Sequence, residues 1–346
     1  MGDPRANHVV IYTHDQDGKW LRIREILPPK DSTAHRVGSG FGNTIALDKD
    51  ILVIGTFTVI KPENNEVVNP KDFQENNGIF SSSTALYQTR LDKVTEVKRI
   101  DLPKILNKGV LPTGRVVAEN GKIGFIFSQE RPEKRIKRIN QVYILSNGKV
   151  RALPGGKLEY RFPSRAKSAS IYGSNIALEN NLLLVGIDRT KNRGGVWLFD
   201  LNSPQNKPQK LTLPFAAPAE VSIAISERFI SISNTPTSSY SYSSGRSGTT
   251  LIRNIATGST IITDGAGRLS LDGSILVRTR SISDGKEYTS VNDIPSVLEV
   301  FRLDDDATPH LIQKRGDVES ALVQNRLLMT VQKTSSGRRI CTEQVH

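Results

Sequence analysis

A phrase that occurs twice constrains this chain more than any other feature. Residues 40–55 read Gly-Phe-Gly-Asn-Thr-Ile-Ala-Leu, then Asp-Lys-Asp, then Ile-Leu-Val-Ile-Gly. Residues 172–186 read Tyr-Gly-Ser-Asn-Ile-Ala-Leu, then Glu-Asn-Asn, then Leu-Leu-Leu-Val-Gly. Each copy predicts a short strand, a tight polar turn and a second apolar strand. Self-similarity of this kind marks a repeat architecture, in which each unit buries its apolar surface against its neighbours.

Leu-Pro pairs at Leu27-Pro28, Leu102-Pro103, Leu153-Pro154 and Leu213-Pro214 divide the chain further. Proline lacks the backbone donor that a ladder needs, so each pair is expected to close an outer strand. Between them lie an apolar strand, a polar turn, a second strand, a long connection and a hairpin. The hairpins are 142–145 with 150–153, across Asn147-Gly148, and 196–199 with 210–213. Asn-Gly is a strong hairpin signal. No helical period is sustained anywhere. The fold class is therefore all-β, and four-stranded antiparallel units in series predict a β-propeller, whose closure leaves few open edges.

Six blades follow as one propeller domain: 35–103, 113–155, 160–214, 220–265, 266–316, and a split one. In the last, 317–333 supplies inner strands and the N-terminal hairpin 9–27 supplies outer ones, closing the ring. Residues 338–343 form one strand beyond this scheme and leave a seventh, irregular blade open.

Phe41-Gly42 with Ile45-Ala46-Leu47 and Leu52-Val53-Ile54-Gly55 resembles the FG-GAP repeat of integrin α-subunit propellers and their bacterial relatives. Tyr12, Asp15-Gln16-Asp17-Gly18 and Trp20 are similar to the first hairpin of the bacterial form. About two units carry the resemblance, and 113–155 and 220–265 depart from it. It implies a fold and no activity. Calcium-binding members place an Asp-x-Asp-x-Asp-Gly turn between the inner strands. Here those turns are Asp48-Lys49-Asp50, Glu179-Asn180-Asn181, Ser226-Glu227-Arg228 and Leu271-Asp272-Gly273, too poor in carboxylates for a calcium cage. Asp15-x-Asp17 and Asp304-Asp305-Asp306 read as solvated turns. No metal and no cofactor are expected.

The A–B turns are minimal, whereas the B–C connections 60–80, 128–140, 188–195, 234–248 and 281–296 are long. Long connections on a compact scaffold usually carry function, so the end of the blades that bears them is the expected binding surface. Its candidate residues are Arg131, Lys134, Arg135, Lys137 and Arg138 in one connection, Arg189 and Arg193 in another, and Tyr240, Tyr242 and Arg246 in a third. Lys333, Arg338 and Arg339 are expected on the same side. Tyrosine among Ser and Gly suits recognition, because Tyr offers amphipathic area at low entropy cost. The connections 60–80 and 281–296 are net acidic. A net charge of +12 points to an acidic protein or a glycan as partner, or serves solubility alone. Nucleic acid is disfavoured, because the basic connection carries no interleaved aromatics and no binding motif is present.

No apolar run is long enough to span a membrane. The start lacks a basic-then-apolar leader. The single cysteine, Cys341, permits no internal disulfide, reads as a packed thiol, and is compatible with the cytoplasm; a processed extracellular form stays open. The five histidines show no metal-pair spacing, no nucleophile elbow or phosphate loop occurs, and Arg315-Gly316-Asp317 is a three-letter coincidence. The leading expectation is a non-catalytic recognition or scaffold propeller. The alternative is a propeller enzyme, lyase, cyclase or hydrolase-like, with a metal-independent polar site built from His35, Arg115, Tyr172, Glu220 and Arg268.

Overall fold

The computed structural model describes residues 2–3, 8–15, 20–29, 40–42, 44–60, 81–102, 110–130, 137–161, 174–187, 195–213, 220–235, 248–281, 295–334 and 337–345. The chain is all-β, a propeller fold of antiparallel blades, with no helix among the described residues. Strands β1 (Gly2–Asp3), β2 (His8–His14) and β3 (Trp20–Ile26) form an N-terminal three-stranded sheet. Blade 1 is β4 (Thr44–Asp48), β5 (Ile51–Ile60), β6 (Ser81–Arg90) and β7 (Lys98–Arg99). Blade 2 is β8 (Val110–Glu119), β9 (Lys122–Glu130), β10 (Lys137–Ser146) and β11 (Lys149–Arg161). Blade 3 is β12 (Ser174–Glu179), β13 (Leu182–Ile187), β14 (Gly195–Asp200) and β15 (Gln209–Leu211). Blade 4 is β16 (Glu220–Ile225), β17 (Phe229–Thr235), β18 (Thr249–Asn254) and β19 (Thr260–Asp264). Blade 5 is β20 (Arg268–Asp272), β21 (Ile275–Ser281), β22 (Ser296–Leu303) and β23 (Pro309–Gly316). The sixth blade contains β24 (Val318–Gln324), β25 (Leu327–Thr334) and β26 (Gly337–Gln344).

Turn chemistry sets these registers. Asn120-Gly121, Asn147-Gly148, Asn180-Asn181 and Asn325-Arg326 each hold two consecutive residues at positive φ. That is the backbone of a two-residue turn whose twist matches its flanking strands, and asparagine tolerates it better than most residues. The turn predicted between 142–145 and 150–153 is there, with Leu145 opposite Val150 and Ser146 opposite Lys149.

Two compact units result. Met1–Ile171 with Ser203–Lys207 make one, and Tyr172–Asn202 with Pro208–His346 make the other. In the first, Val9 and Ile26 of the N-terminal sheet pack with Phe41, Leu52, Ile54, Ala85 and Tyr87 of blade 1. Val53 and Leu86 of blade 1 join Phe125, Phe127 and Tyr143 of blade 2 in a second cluster. In the other unit, Leu184 and Val196 of blade 3 pack on Val221, Ile223 and Ile232 of blade 4. Val277, Leu298 and Val300 of blade 5 pack on Val318, Val323 and Leu328 of the sixth.

Polar seams join successive inner strands. In the first unit, Thr44 Oγ1 accepts the Val116 N–H at 3.2 Å, and Asp48 Oδ2 accepts the Gly121 N–H at 2.6 Å. In the other, Ser222 Oγ accepts the Leu269 N–H at 3.0 Å, Asn175 Nδ2 donates to the Val221 carbonyl, and Ser270 Oγ accepts the Val323 N–H at 3.1 Å. Asp272 repeats the role of Asp48, accepting the Arg326 N–H of the next A–B turn at 2.7 Å. Ser226 does the same work with opposite polarity, its hydroxyl donating to the Gly273 carbonyl at 2.8 Å. The repeated phrase is thereby explained. Its polar first position, Thr44 in one copy and Asn175 in the other, bonds to the next blade, and so does the acid before the turn in the first copy, Asp48. Its final glycine leaves room, since a Cβ on Gly55 would lie 2.3 Å from Thr44 Cγ2.

Asp48→Ala should accordingly cost about 1 kcal/mol by urea unfolding, the usual worth of one such bond. Asp50→Ala should cost less, because Asp50 only faces the exposed Arg90 guanidinium at 2.6 Å. Equal losses would contradict the seam.

Three sequence expectations need correction. First, 128–140 is no long loop: β9 and β10 stay paired out to Glu130 opposite Arg138, which leaves only 131–136 between them. The run 128–140 is mostly polar and charged and shows no apolar alternation, so its pairing is hidden in the sequence. Second, β11 does not close at Leu153-Pro154. Its register shifts at Gln141/Tyr143, and it then continues to Arg161. As the outermost strand it tolerates a proline whose missing donor faces no partner. Third, the place beside β25 that was assigned to the N-terminal hairpin is taken by β26, the supposed surplus strand, with Lys333 opposite Arg338. A short local turn closes at less entropic cost than a pairing between chain ends. The hairpin 9–27 itself forms, as β2 and β3.

Candidate functional site

Strand pairing places the B–C connections at one end of each blade and the A–B turns at the other. Connections of very different length leave the first end: Ile60 to Ser81, Ile187 to Gly195, Thr235 to Thr249 and Ser281 to Ser296. The A–B turns are short, and those of blades 1, 4 and 5 bond to the turn of the next blade, as above.

At the B–C end of blades 4 and 5 lies a buried ionic cluster. Every other complete blade pairs two apolar or aromatic side chains here: Ile54 with Tyr87, Phe125 with Tyr143, Val185 with Trp197, Ile232 with Leu251. Blade 5 pairs Arg278 with Glu299. Each is only 5% exposed. Arg278 Nε donates to Glu299 Oε2 at 2.8 Å. Arg280, two residues along the same strand, completes a triad: its Nε donates to Oε2 at 3.0 Å and its Nη2 to Oε1 at 2.9 Å.

Arg278 Nη1 reaches across to blade 4. It donates to the carbonyls of Asp264 and Gly265, both at 2.9 Å, and approaches the Thr250 and Thr263 hydroxyls at 3.2 Å. The Thr250 hydroxyl donates to the Gly265 carbonyl at 2.7 Å. The Gly267 N–H donates to Ser233 Oγ at 2.7 Å. The Arg278 guanidinium also lies over the Phe301 ring, 5.1 Å from its centroid. Gly265 and Gly267 let the chain pass this closely. Gly265 sits at φ +92°, and a Cβ on Gly267 would stand 2.4 Å from the Thr279 carbonyl oxygen.

Burial pushes Arg278 below its ordinary value, with Glu299 opposing. Burial would raise Glu299, but hydrogen bonds and charge from Arg280 and Arg278 together carry it lower. The hydrogen bond to Glu299 raises Arg280. Glu299 is thus held ionised with both oxygens occupied by guanidinium donors, which suits a clamp and not a proton shuttle. The clamp ties the roots of two connections together, because β17 and β18 flank 236–248 while β21 and β22 flank 282–295.

Sequence reading missed all three triad residues. The available signal was the break in the repeat: Arg278 occupies the strand position of Ile54, Phe125, Val185 and Ile232. Of the residues that were expected to bind, Arg131, Lys134, Arg135, Arg189, Arg193, Tyr240, Tyr242 and Arg246 lie outside the described residues. So do His35 and Tyr172. Lys137 and Arg138 open β10. Glu220 and Arg268 begin β16 and β20 as expected, and Arg268 is exposed. Arg115 lies inside β8, in the irregular stretch between Pro112 and Val116. Arg338 pairs with Glu319 at 2.6 and 2.7 Å. In the Asp304–Asp306 turn, His310 lies 2.8 Å from Asp304, Arg228 pairs with Asp305, and Asp306 accepts the Thr308 N–H at 3.0 Å.

No protein-family model matches the sequence, and no curated protein matches it. Solved structures do. The polysaccharide lyase Uly1 matches at a TM-score of 0.55 with 9% identity, over 98% of this chain and 85% of that one. The β-propeller domain of the Trilobed protease from Pyrococcus furiosus matches at 0.49 with 10% identity, over 87% of this chain and 81% of that one. At such identity the first likeness shows the propeller fold alone.

Proposed function

We propose that this chain is a non-catalytic recognition propeller that binds an acidic protein through the B–C end of its blades. The observation that carries the reading is the Arg278–Glu299–Arg280 clamp. Buried ion groups contribute less stability than apolar residues of similar size, so they need a reason other than packing. Here they fix backbone carbonyls and hydroxyls at the roots of two long connections, as a binding surface requires of its support. The opposite end spends its polar groups on neighbouring blades. The net charge of +12 selects an acidic partner.

We also propose kinship with the FG-GAP repeat. Phe41 is fully buried with its ring 5.7 Å from that of Tyr87, and Gly55 has the close neighbour its position demands.

The test is affinity capture from the native source with three chains: the wild type, one with 236–247 and 282–294 replaced by short Gly-Ser links, and one carrying Asp50→Lys in an A–B turn. A protein retained by the turn variant and lost from the link variant is the expected result. Retention by the link variant, or loss from the turn variant, would overturn the reading.

A further inference from the structure

Outer strands differ greatly in length among the blades. β7 is Lys98–Arg99, β15 is Gln209–Leu211 and β19 is Thr260–Asp264, whereas β11 runs Lys149–Arg161. Its edge is broken once, at the register shift that accommodates Pro154, Gly155 and Gly156, with Gly155 at φ +69°. Beyond that break the ladder resumes for five residues, Lys157 opposite Gln141 through Arg161 opposite Lys137. This stretch holds no proline, and among the described residues β11 pairs with β10 alone. The sequence puts four cations on these two strand ends, Lys137, Arg138, Lys157 and Arg161, against Glu159 and, on β9 opposite Arg138, Glu130.

We propose that the edge of β11 from Lys157 to Arg161 takes up an extended acidic segment of a partner protein as a fifth strand of blade 2. Strand addition to an open edge draws affinity from main-chain hydrogen bonds, and the neighbouring charges select the partner. Basic residues on an edge also guard against pairing with like edges. The two effects agree: the charge that repels another copy of this edge attracts an anionic strand. The inference rests on the reading of the B–C end as the recognition surface, because Arg161 and Lys137 meet at that end of blade 2.

The probe is a synthetic eight-residue peptide alternating glutamate with valine and threonine. It is compared with a twin N-methylated at alternate positions and with a twin carrying lysine for glutamate. The acidic peptide should slow hydrogen exchange of amides within 157–161 at least tenfold, and both twins should not. Lys157→Glu with Arg161→Glu should weaken its binding at least tenfold. Equal binding of the N-methylated twin, binding without protection of 157–161, or no binding would each overturn the inference. The link variant separates the two readings. If it keeps both peptide protection and partner capture, the edge stands and the role of 236–247 and 282–294 falls. If the wild type shows no protection while the link variant loses capture, only the edge falls.

Discussion

Glu299→Gln should destabilise the protein by about 3–5 kcal/mol, because it strands two arginines, one of them buried, without their shared counter-charge. Arg278 cannot follow its charge into water: it is 5% exposed and held from blade 4 by two carbonyls. Urea unfolding gives the magnitude, and a loss under 1 kcal/mol would mean that the triad carries little. The pH dependence gives an independent sign. The folded-state value of Glu299 lies below its ordinary one, so its contribution is full above about pH 4.3 and is lost as the pH falls through the folded value. Below about pH 4.3 the wild type should therefore lose stability faster than Glu299→Gln, and parallel curves would contradict this. Replacing the pair together, Arg278→Ile with Glu299→Leu, copies blade 4 and should recover part of the loss. Recovery stays incomplete because the Asp264 and Gly265 carbonyls lose the Arg278 donor and Arg280 loses its counter-charge.

Gly267→Ala is the second large effect. The new Cβ would stand 2.4 Å from the Thr279 carbonyl oxygen and 3.0 Å from Arg278 Cγ. A carbonyl inside a ladder cannot swing aside as a side-chain tip can, so β20 must move away from β21. The expected cost is on the order of 2–3 kcal/mol, typical of overpacking. Gly316→Ala is the control for glycine removal itself, since its φ lies outside the left-handed region, as that of Gly267 does, and nothing lies within 4 Å of its Cβ. Equal losses at the two positions, measured by thermal unfolding, would show that backbone preference and not close approach governs Gly267.

The framework of the fold was legible because its signals are local. Asn147-Gly148 and Asn180-Asn181 announce their turns, and runs such as Leu182–Val185 can only be strands buried on both faces. What lay beyond those signals was not legible. The extension of blade 2 past Ser128 is mostly charged and polar in sequence, so no apolar alternation announces it. The ion triad escaped because β21 opens with Ile275-Leu276-Val277 like any buried strand, and the partner that makes Arg278 tolerable is twenty-one residues away. Only alignment of the blades against one another exposes it. Pairing of the last strands was likewise misassigned, because β25 has one free side and a sequence does not say which of two candidate strands takes it.

The most direct measurement of the central claim is the rate at which the captured partner associates and dissociates. Reversing Arg135, Lys137 and Arg138 to glutamate should slow association at least tenfold at low salt, and less at high salt, with thermal stability unchanged, as expected where charges steer encounter. Tyr240→Ala with Tyr242→Ala should instead speed dissociation, because aromatic anchors hold a formed interface. Asp50→Lys, in the turn at the opposite end, should alter neither rate. If Asp50→Lys changes the rates as much as the changes in the B–C connections do, recognition does not occur at the B–C end and the account is wrong.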